Sequence, residues 1–474
     1  MTPAAERQIY LLSPRHLSPE TIAVTFAKTS RSPRSFREIA DELTDEKSAD
    51  FHEKWVVGYG HASVAEHAVL HLAFENISRL AIECIESNRL ASYTEKSTRY
   101  QKWEPGRYYL PEEVVGTAHE ATYQTICDRL FDVYQQSLEP VRRVVEAINP
   151  RRPDESDGRW DGRIRSRYVD VCRFLLPASA MANVGMTVNA RALEHALGKM
   201  FSHPLSEVRQ IGEAAKRVVQ EEVPTLVKYA ERRTYLVESR REVRNLAQGM
   251  GSDADQEMLT LIAYDPEGET RVLAAALYEH EPCGFNTALD HIRSLDQEGR
   301  AALAEGLLGS RDKFDIPLRS LEHAAYTVDA LMDQGAYFEV KRHRMMTQSP
   351  QRLTAKLGYA VPRLITEAGL EASYRSAMEA AAEAYAILAE WNEDVAAYVV
   401  PNGFNRRVLM TFNLREAFHF CELRSAGNAH FSVRRIALRL ADLIGEVHPL
   451  LAKRMRLPEG VSWQMIEEEN FSQV

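Results

Sequence analysis

Between Lys341 and Tyr359 the chain reads KRHRMMTQSPQRLTAKLGY, with Arg342-His343-Arg344 near its head, Arg352 and Lys356 further on, and no acidic residue. A guanidinium presents a rigid fork of donors to phosphate oxygens, so several converging on one spot suit a phosphorylated ligand. An isolated basic run can equally be a solvated helix face. The formal net charge is -10 over 474 residues, so an anion site here must invert the surrounding field locally. A second constellation is Asn189 and Arg191, with His195 one helical turn beyond Arg191; Asn413, Arg415 and His419 repeat it. Arg and His at i, i+4 share a helix face, and Asn with Arg at a helix start suits a flavin or nucleotide edge. A structural salt bridge beside a satisfied histidine is the competing reading. His61, Glu66, His67 and His71 lack zinc-site spacing, so no metal is assigned. Cys84 and Ser97 have no local base partner visible as a nucleophile would need.

The elements that carry these residues form an internal repeat. Thr187, Asn189, Arg191 and His195 recur as Thr411, Asn413, Arg415 and His419, each pair 224 positions apart. At the same offset Arg173-Phe-Leu-Leu-Pro177 becomes Ala397-Tyr-Val-Val-Pro401. Upstream, Glu66-His67 meets Glu322-His323, and each is followed by a basic segment, SNRLASYTEKSTRY at 87–100 and RHRMMTQSPQRLT at 342–354. Solenoid repeats run roughly 20–50 residues, so a period this long is a whole domain fused to its copy. Copy one spans residues 1–240, a linker 241–256 and copy two 257–474. The segment 231–247 reads as an exposed charged helix; the GMG in the linker lacks a preceding strand and a GxGxxG, and is not a nucleotide loop. Asn149–Gly162 reads as a surface loop. Each copy reads as α+β, a small sheet with long helices. Strands are expected at Ile9–Leu12, Thr21–Phe26, Leu259–Ala263 and Arg271–Ala275, and helices at Ala118–Ile148, Leu193–Glu222, Gly369–Val399 and Ser432–Met455.

Hydrophobic content of 45% is that of an ordinary globular protein. The acidic balance, with pI ≈ 5.9, argues against a nucleic-acid binder. Five scattered cysteines without a CxxC read as reduced thiols. With no apolar signal core and no run near the roughly 18 apolar residues of a membrane span, a cytoplasmic protein without membrane partners is expected.

Gly60-His61-Ala-Ser63-Val-Ala-Glu66-His67, then Arg89-Leu-Ala-Ser92-Tyr93-Thr-Glu95-Lys-Ser97-Thr-Arg99-Tyr100, resembles the flavin-dependent thymidylate synthases, whose signature runs RHR, seven residues, then Ser. Arg173-x-x-x-Pro177 and Asn189-Ala-Arg191 are similar to that family's second half, and copy two resembles it through Arg342-His343-Arg344, Asn413-Leu-Arg415, His419 and Arg424. Neither copy is complete. Copy one has Ser87-Asn88-Arg89 for RHR and Met200 where copy two has Arg424; copy two has Ala397 for Arg173, Pro317 for His61, and Pro350 and Arg352 in the later segment. The losses are complementary.

The resemblance implies reductive methylation of dUMP to dTMP, with FAD as cofactor and NADPH and methylenetetrahydrofolate as co-substrates. It implies one composite site drawing Arg342, His343, Arg344 and Arg424 from copy two and His61, Glu95, Ser97, Arg99 and Arg173 from copy one. Catalytic candidates are Arg424, Ser97 and His61; dUMP is assigned to Glu95, Ser97, Arg99, Arg173, Arg342 and Arg424. The flavin is assigned to His61, Ser63, Glu66, Arg342, His343, Arg344, Asn189, Arg191, Asn413, Arg415 and His419. Family members are homotetramers, so a fused pair is expected as a homodimer mimicking a tetramer. The alternatives are another flavoenzyme on this scaffold, or a non-catalytic flavin- or nucleotide-binding paralogue.

Overall fold

Ser18 decides the first element. Its hydroxyl accepts the Thr21 N–H and Pro19 takes the first helical position, so Pro19–Thr29 is a helix although its run of Thr, Ile and Val suggests a strand. The computed structural model describes residues 8–58, 62–97, 99, 101–250 and 257–472. In it Ile9–Leu12 has no regular structure, and Arg271–Ala275 lies inside the helix Gly268–Tyr278. In Thr21–Phe26 and Arg271–Ala275, the two expected strands that are helical instead, alanines beside the β-branched residues permit a helix whose apolar face is buried. Leu259–Tyr264 is a strand. The long helices Glu120–Ile148 and Glu371–Ala396 form where amphipathic spacing places them. The expected helix 193–222 breaks into Ala190–Phe201 and Ser206–Val219 around Pro204, and that at 432–455 into Phe431–Val447 and Pro449–Ala452 at Pro449. The expected surface loop 149–162 ends early, because Ser156 caps a helix over Asp157–Cys172. Thr234–Leu246 is a helix with no buried residue.

The chain divides into two compact units, residues 1–96, 111–113 and 181–250 in the first, and 97–110, 114–180 and 251–474 in the second. The first unit holds an antiparallel sheet of Val69–Ser78 (β1), Ala91–Glu95 (β2) and Met181–Asn189 (β3), in the order β1-β3-β2. A bulge between Phe74 and Ile77 puts Asn76 at φ 55°, a left-handed conformation that asparagine tolerates. The Asn183 carboxamide accepts its N–H at 3.0 Å.

The second unit holds Leu259–Tyr264 (β4), Ala325–Asp333 (β5), Thr347–Pro350 (β6) and Asn405–Asn413 (β7), ordered β4-β5-β7-β6 and antiparallel throughout. Alternation along β5 and β7 buries Tyr326, Val328, Ala330 and Met332 with Val408, Met410 and Phe412, and the helix Phe431–Val447 adds Ile436, Leu440 and Ile444 to the same core. Each large apolar side chain buried there contributes roughly 1.5–3 kcal/mol.

In the second unit the segment 174–179 pairs with 398–403. Ala178 N–H donates to Val400 O at 3.0 Å and Asn402 N–H to Leu176 O at 3.0 Å. Ser179 N–H donates to Tyr398 O at 2.8 Å and Gly403 N–H to Phe174 O at 2.9 Å. Within each pair of bonds, the partners exchange roles at an offset of 224 positions.

Candidate anion-binding site

Ser97 shapes the turn that presents Arg99: its Oγ accepts the Arg99 N–H at 3.2 Å, and its carbonyl accepts Gln101 N–H at 3.2 Å. Arg99 holds Asp170 with Nε at 2.9 Å and Nη2 at 2.8 Å, and donates Nη1 to Asn428 O at 3.0 Å. Asp170 lies in the last turn of the helix Asp157–Cys172, three residues before Arg173, whose Nε lies 4.0 Å from the Asp170 carboxylate. The Asn402 carboxamide fixes the Arg173 carbonyl at 2.9 Å, and Arg173 Nη2 donates to Gly335 O at 3.3 Å.

Gly335 belongs to the buried helix Gln334–Val340, which also carries Glu339. Glu339 bridges two guanidiniums, accepting from Arg424 Nη1 at 3.1 Å and standing 3.8 Å from Arg99 Nη1. Arg424 closes the helix Leu414–Arg424. Its Nε–H donates to His343 Nε2 at 2.9 Å, and His343 Nδ1 meets Glu416 Oε1 at 2.8 Å. The result is a ladder within the second unit, running Arg173, Asp170, Arg99, Glu339, Arg424, His343, Glu416, in which charge alternates as far as Arg424.

Burial sets its electrostatics. It pushes Asp170 above the ordinary carboxylate value, opposed by Arg173 and Arg99, and lowers Arg173 and Arg424. Burial, then the Arg424 charge, holds His343 well below the ordinary imidazole value. Burial also raises Glu416 to about 7. Charges taken out of water persist only when compensated, and here three guanidiniums meet the carboxylates of Asp170 and Glu339, while the third carboxyl group, Glu416, meets His343. Of the basic run, Lys341 and His343 are buried, Arg344 is half-buried and Arg342 is exposed; the Arg342 charge acts on both His343 and Arg424. Such a cluster can take an anion beside a polarisable ring.

Of the residues expected from sequence, the second unit brings together Ser97, Arg99, Arg173, Arg342, His343 and Arg424, with Arg344 next to His343 in the chain and His419 exposed, its ring 5.2 Å from that of His343. Asn413 caps its helix, accepting Glu416 N–H at 2.9 Å, and Arg415 pairs with Glu322 at 2.9 Å. The first unit holds the rest. Asn189 caps its helix through Ala192 N–H at 2.8 Å, Arg191 pairs with Glu66 on the surface, and Glu95 is buried against Arg79 at 3.0 Å. Ser63 lines a cavity of about 550 Å³ walled by Phe26, Phe51 and Trp55, with the Arg31 guanidinium 4.8 Å above the Trp55 ring. His61 and Tyr100 lie outside the described residues. Arg352, in the diverged tail of the basic run, pairs with Glu393 on the surface.

Three site residues escape sequence reasoning: Asp170, Glu339 and Glu416. The available signal was spacing, since Asp170 precedes Arg173 and Glu339 precedes Arg342 by three residues. Among the described residues no helix is long and apolar enough to cross a membrane.

The family model for thymidylate synthase complementing protein matches residues 14–225 and again 260–450, as an internal duplication would. The UPF0159 protein of Chlamydia muridarum is 33% identical over 427 residues, covering 86% of this chain and 80% of its own. The flavin-dependent thymidylate synthase of Clostridium tetani is 25% identical over 218 residues, 45% of this chain and 82% of its own. A crystal structure of the Helicobacter pylori flavin-dependent thymidylate synthase with FAD and dUMP aligns at 20% identity and a TM-score of 0.32, over 43% of this chain and 100% of its own.

Proposed function

This chain belongs to the thymidylate synthase complementing protein family, and from that premise we propose that it is a fused duplicate which methylates dUMP reductively at one composite site. The overall change takes dUMP, methylenetetrahydrofolate, NADPH and a proton to dTMP, tetrahydrofolate and NADP+. FAD, when bound, carries the hydride; the protein supplies position and electrostatics.

The observation that carries this reading is the ladder. Arg99 and Arg173 come from the first repeat and His343 and Arg424 from the second, yet they share one network of ion pairs and hydrogen bonds through Asp170 and Glu339. The positions matching His343 and Arg424 in the first repeat are Asn88 and Met200, and the position matching Arg173 in the second is Ala397.

The donor set suits an anionic nucleotide and a flavin. Arg99, Arg173 and Arg342 take the dUMP phosphate and neighbouring groups by charge-assisted hydrogen bonds. Arg424 stabilises negative charge on the uracil carbonyl as the ring accepts a hydride. His343 and Arg344 hold the flavin. Ser97 fixes the Arg99 turn and offers its hydroxyl to the ligand. Asn413, Arg415 and His419 remain flavin-contact candidates, Asn413 through Nδ2 because its Oδ1 caps a helix. Glu95 has a structural use already, in its ion pair with Arg79.

A second reading rests on the relatives. Those matching across both repeats are named UPF0159 proteins, whereas those named flavin-dependent thymidylate synthases match under half of this chain. A diverged paralogue would keep FAD and the nucleotide with a different reaction or none. Incubation with FAD, NADPH, methylenetetrahydrofolate and dUMP separates the two. Formation of dTMP with dUMP-dependent oxidation of the reduced flavin supports the first; flavin and dUMP binding without dTMP supports the second.

A further inference from the structure

The ladder ends in a buried carboxylate, Glu416, to which the roles above give no work. Glu416 lies in the first turn of the helix whose last residue is Arg424, and both touch His343 from opposite sides. Arg424 does not lose its proton near neutrality. Its Nε–H therefore requires a lone pair on His343 Nε2, so the imidazole proton must sit on Nδ1 and be donated to Glu416 Oε1. A doubly protonated ring would set Nε2–H against Arg424 Nε–H. The other charged groups acting on the imidazole are Glu339, Arg342 and His419.

We propose that Glu416 is a positioning residue that locks His343 in the Nδ1–H tautomer and, through it, fixes the plane of the Arg424 guanidinium. The significance for catalysis rests on the reading that Arg424 faces the pyrimidine. A second observation comes from the repeat. The positions matching Glu416, Arg424 and His343 in the first copy are Ala192, Met200 and Asn88, so all members of the relay are missing there together. In their place Lys199 Nζ donates to Asn88 Oδ1 at 3.1 Å.

The test uses the full chain labelled with 15N-histidine and 15N-arginine, as wild type, Glu416→Gln and Glu416→Ala, with circular dichroism verifying the fold. The Gln side chain keeps a carbonyl acceptor and Ala removes it. The expected result is a His343 signal of the Nδ1–H tautomer and a slowly exchanging Arg424 Nε–H in wild type and Glu416→Gln. Folded Glu416→Ala should show mixed tautomers and at least tenfold faster Arg424 Nε–H exchange. An unchanged tautomer in folded Glu416→Ala, or a Glu416→Gln that behaves like Ala, overturns the proposal. If the alanine variant does not fold, Glu416→Leu and the glutamine variant decide by the same readout. Binding of dUMP is measured alongside: about tenfold weaker for Ala and within about twofold for Gln. Absence of dUMP binding in every variant counts against the synthase reading, and the tautomer result still decides the role of Glu416.

Discussion

Pro177 and Pro401 stand opposite one another in an antiparallel bridge, each at the same place in its own repeat. The hydrogen bonds on either side exchange donor and acceptor between the copies. Reciprocal pairing of this kind is what an isologous twofold contact produces between separate subunits. Here it occurs inside one chain, which favours the proposal that the fusion joins two former partners face to face. The composite site follows naturally, because partners across such a contact can each supply half of a binding set and lose the other half.

The contact should be sensitive to volume. A Cβ on Gly403 would stand 2.7 Å from the Tyr374 hydroxyl oxygen and 2.9 Å from Met378 Cε, whereas one on Gly427 meets nothing within 4 Å. Gly403→Ala is expected to destabilise the fold by about 1–3 kcal/mol, and Gly427→Ala to fall within about 0.5 kcal/mol of wild type. Denaturant unfolding of both variants checks this.

Glu95 separates a structural carboxylate from a ligand-binding one. Its ion pair with Arg79 is buried on both sides. Removing one member of a buried pair costs about 3–5 kcal/mol, so Glu95→Ala should lower the unfolding midpoint strongly. Loss of dUMP affinity in a variant with unchanged stability would instead assign Glu95 to the ligand.

Stability should depend on pH through Glu416. Burial raises its carboxyl from 4.5 to about 7. The folded state therefore binds this proton more tightly, and the resulting stabilisation is present below pH 4.5 and lost as pH rises through about 7. Gln at this position cannot ionise. Relative to wild type, the thermal midpoint of Glu416→Gln should rise by a few degrees between pH 5 and 8, the His343 contribution being common to both. A constant difference across that range would contradict the assignment.

Much of the fold was legible because the repeat aligned residues whose roles recur. Asn189 and Asn413 mark the same strand-to-helix junction, where each caps a helix. Arg99, Arg173, His343 and Arg424 were grouped from complementary losses, without any contact between them in view. What stayed hidden has physical causes. Asp170, Glu339 and Glu416 sit in helices as carboxylates ordinarily do on a surface, and only tertiary packing buries the first two against arginines and Glu416 against His343. Thr21–Phe26 misled because a Ser-Pro start outweighs β-branched content. The exposed Ile9 and Leu11 pack on nothing that would order a strand.

The diverged tail of the basic run gives a control for site assignments. Arg352 and Glu393 form a surface ion pair with both side chains well exposed, worth little in stability. Arg352→Ala should leave dUMP affinity within about twofold, whereas Arg342→Ala and Ser97→Ala should weaken it by at least tenfold. Equal losses in all three, measured by isothermal titration, would remove the composite site.

On the proposed reading, two copies of the fold make one working site. Titration of dUMP into the FAD-loaded full chain measures this directly. One dUMP per chain, abolished alike by Arg99→Ala from the first repeat and Arg424→Ala from the second, is the expected result. Two dUMP per chain, or loss with only one of those substitutions, would contradict it.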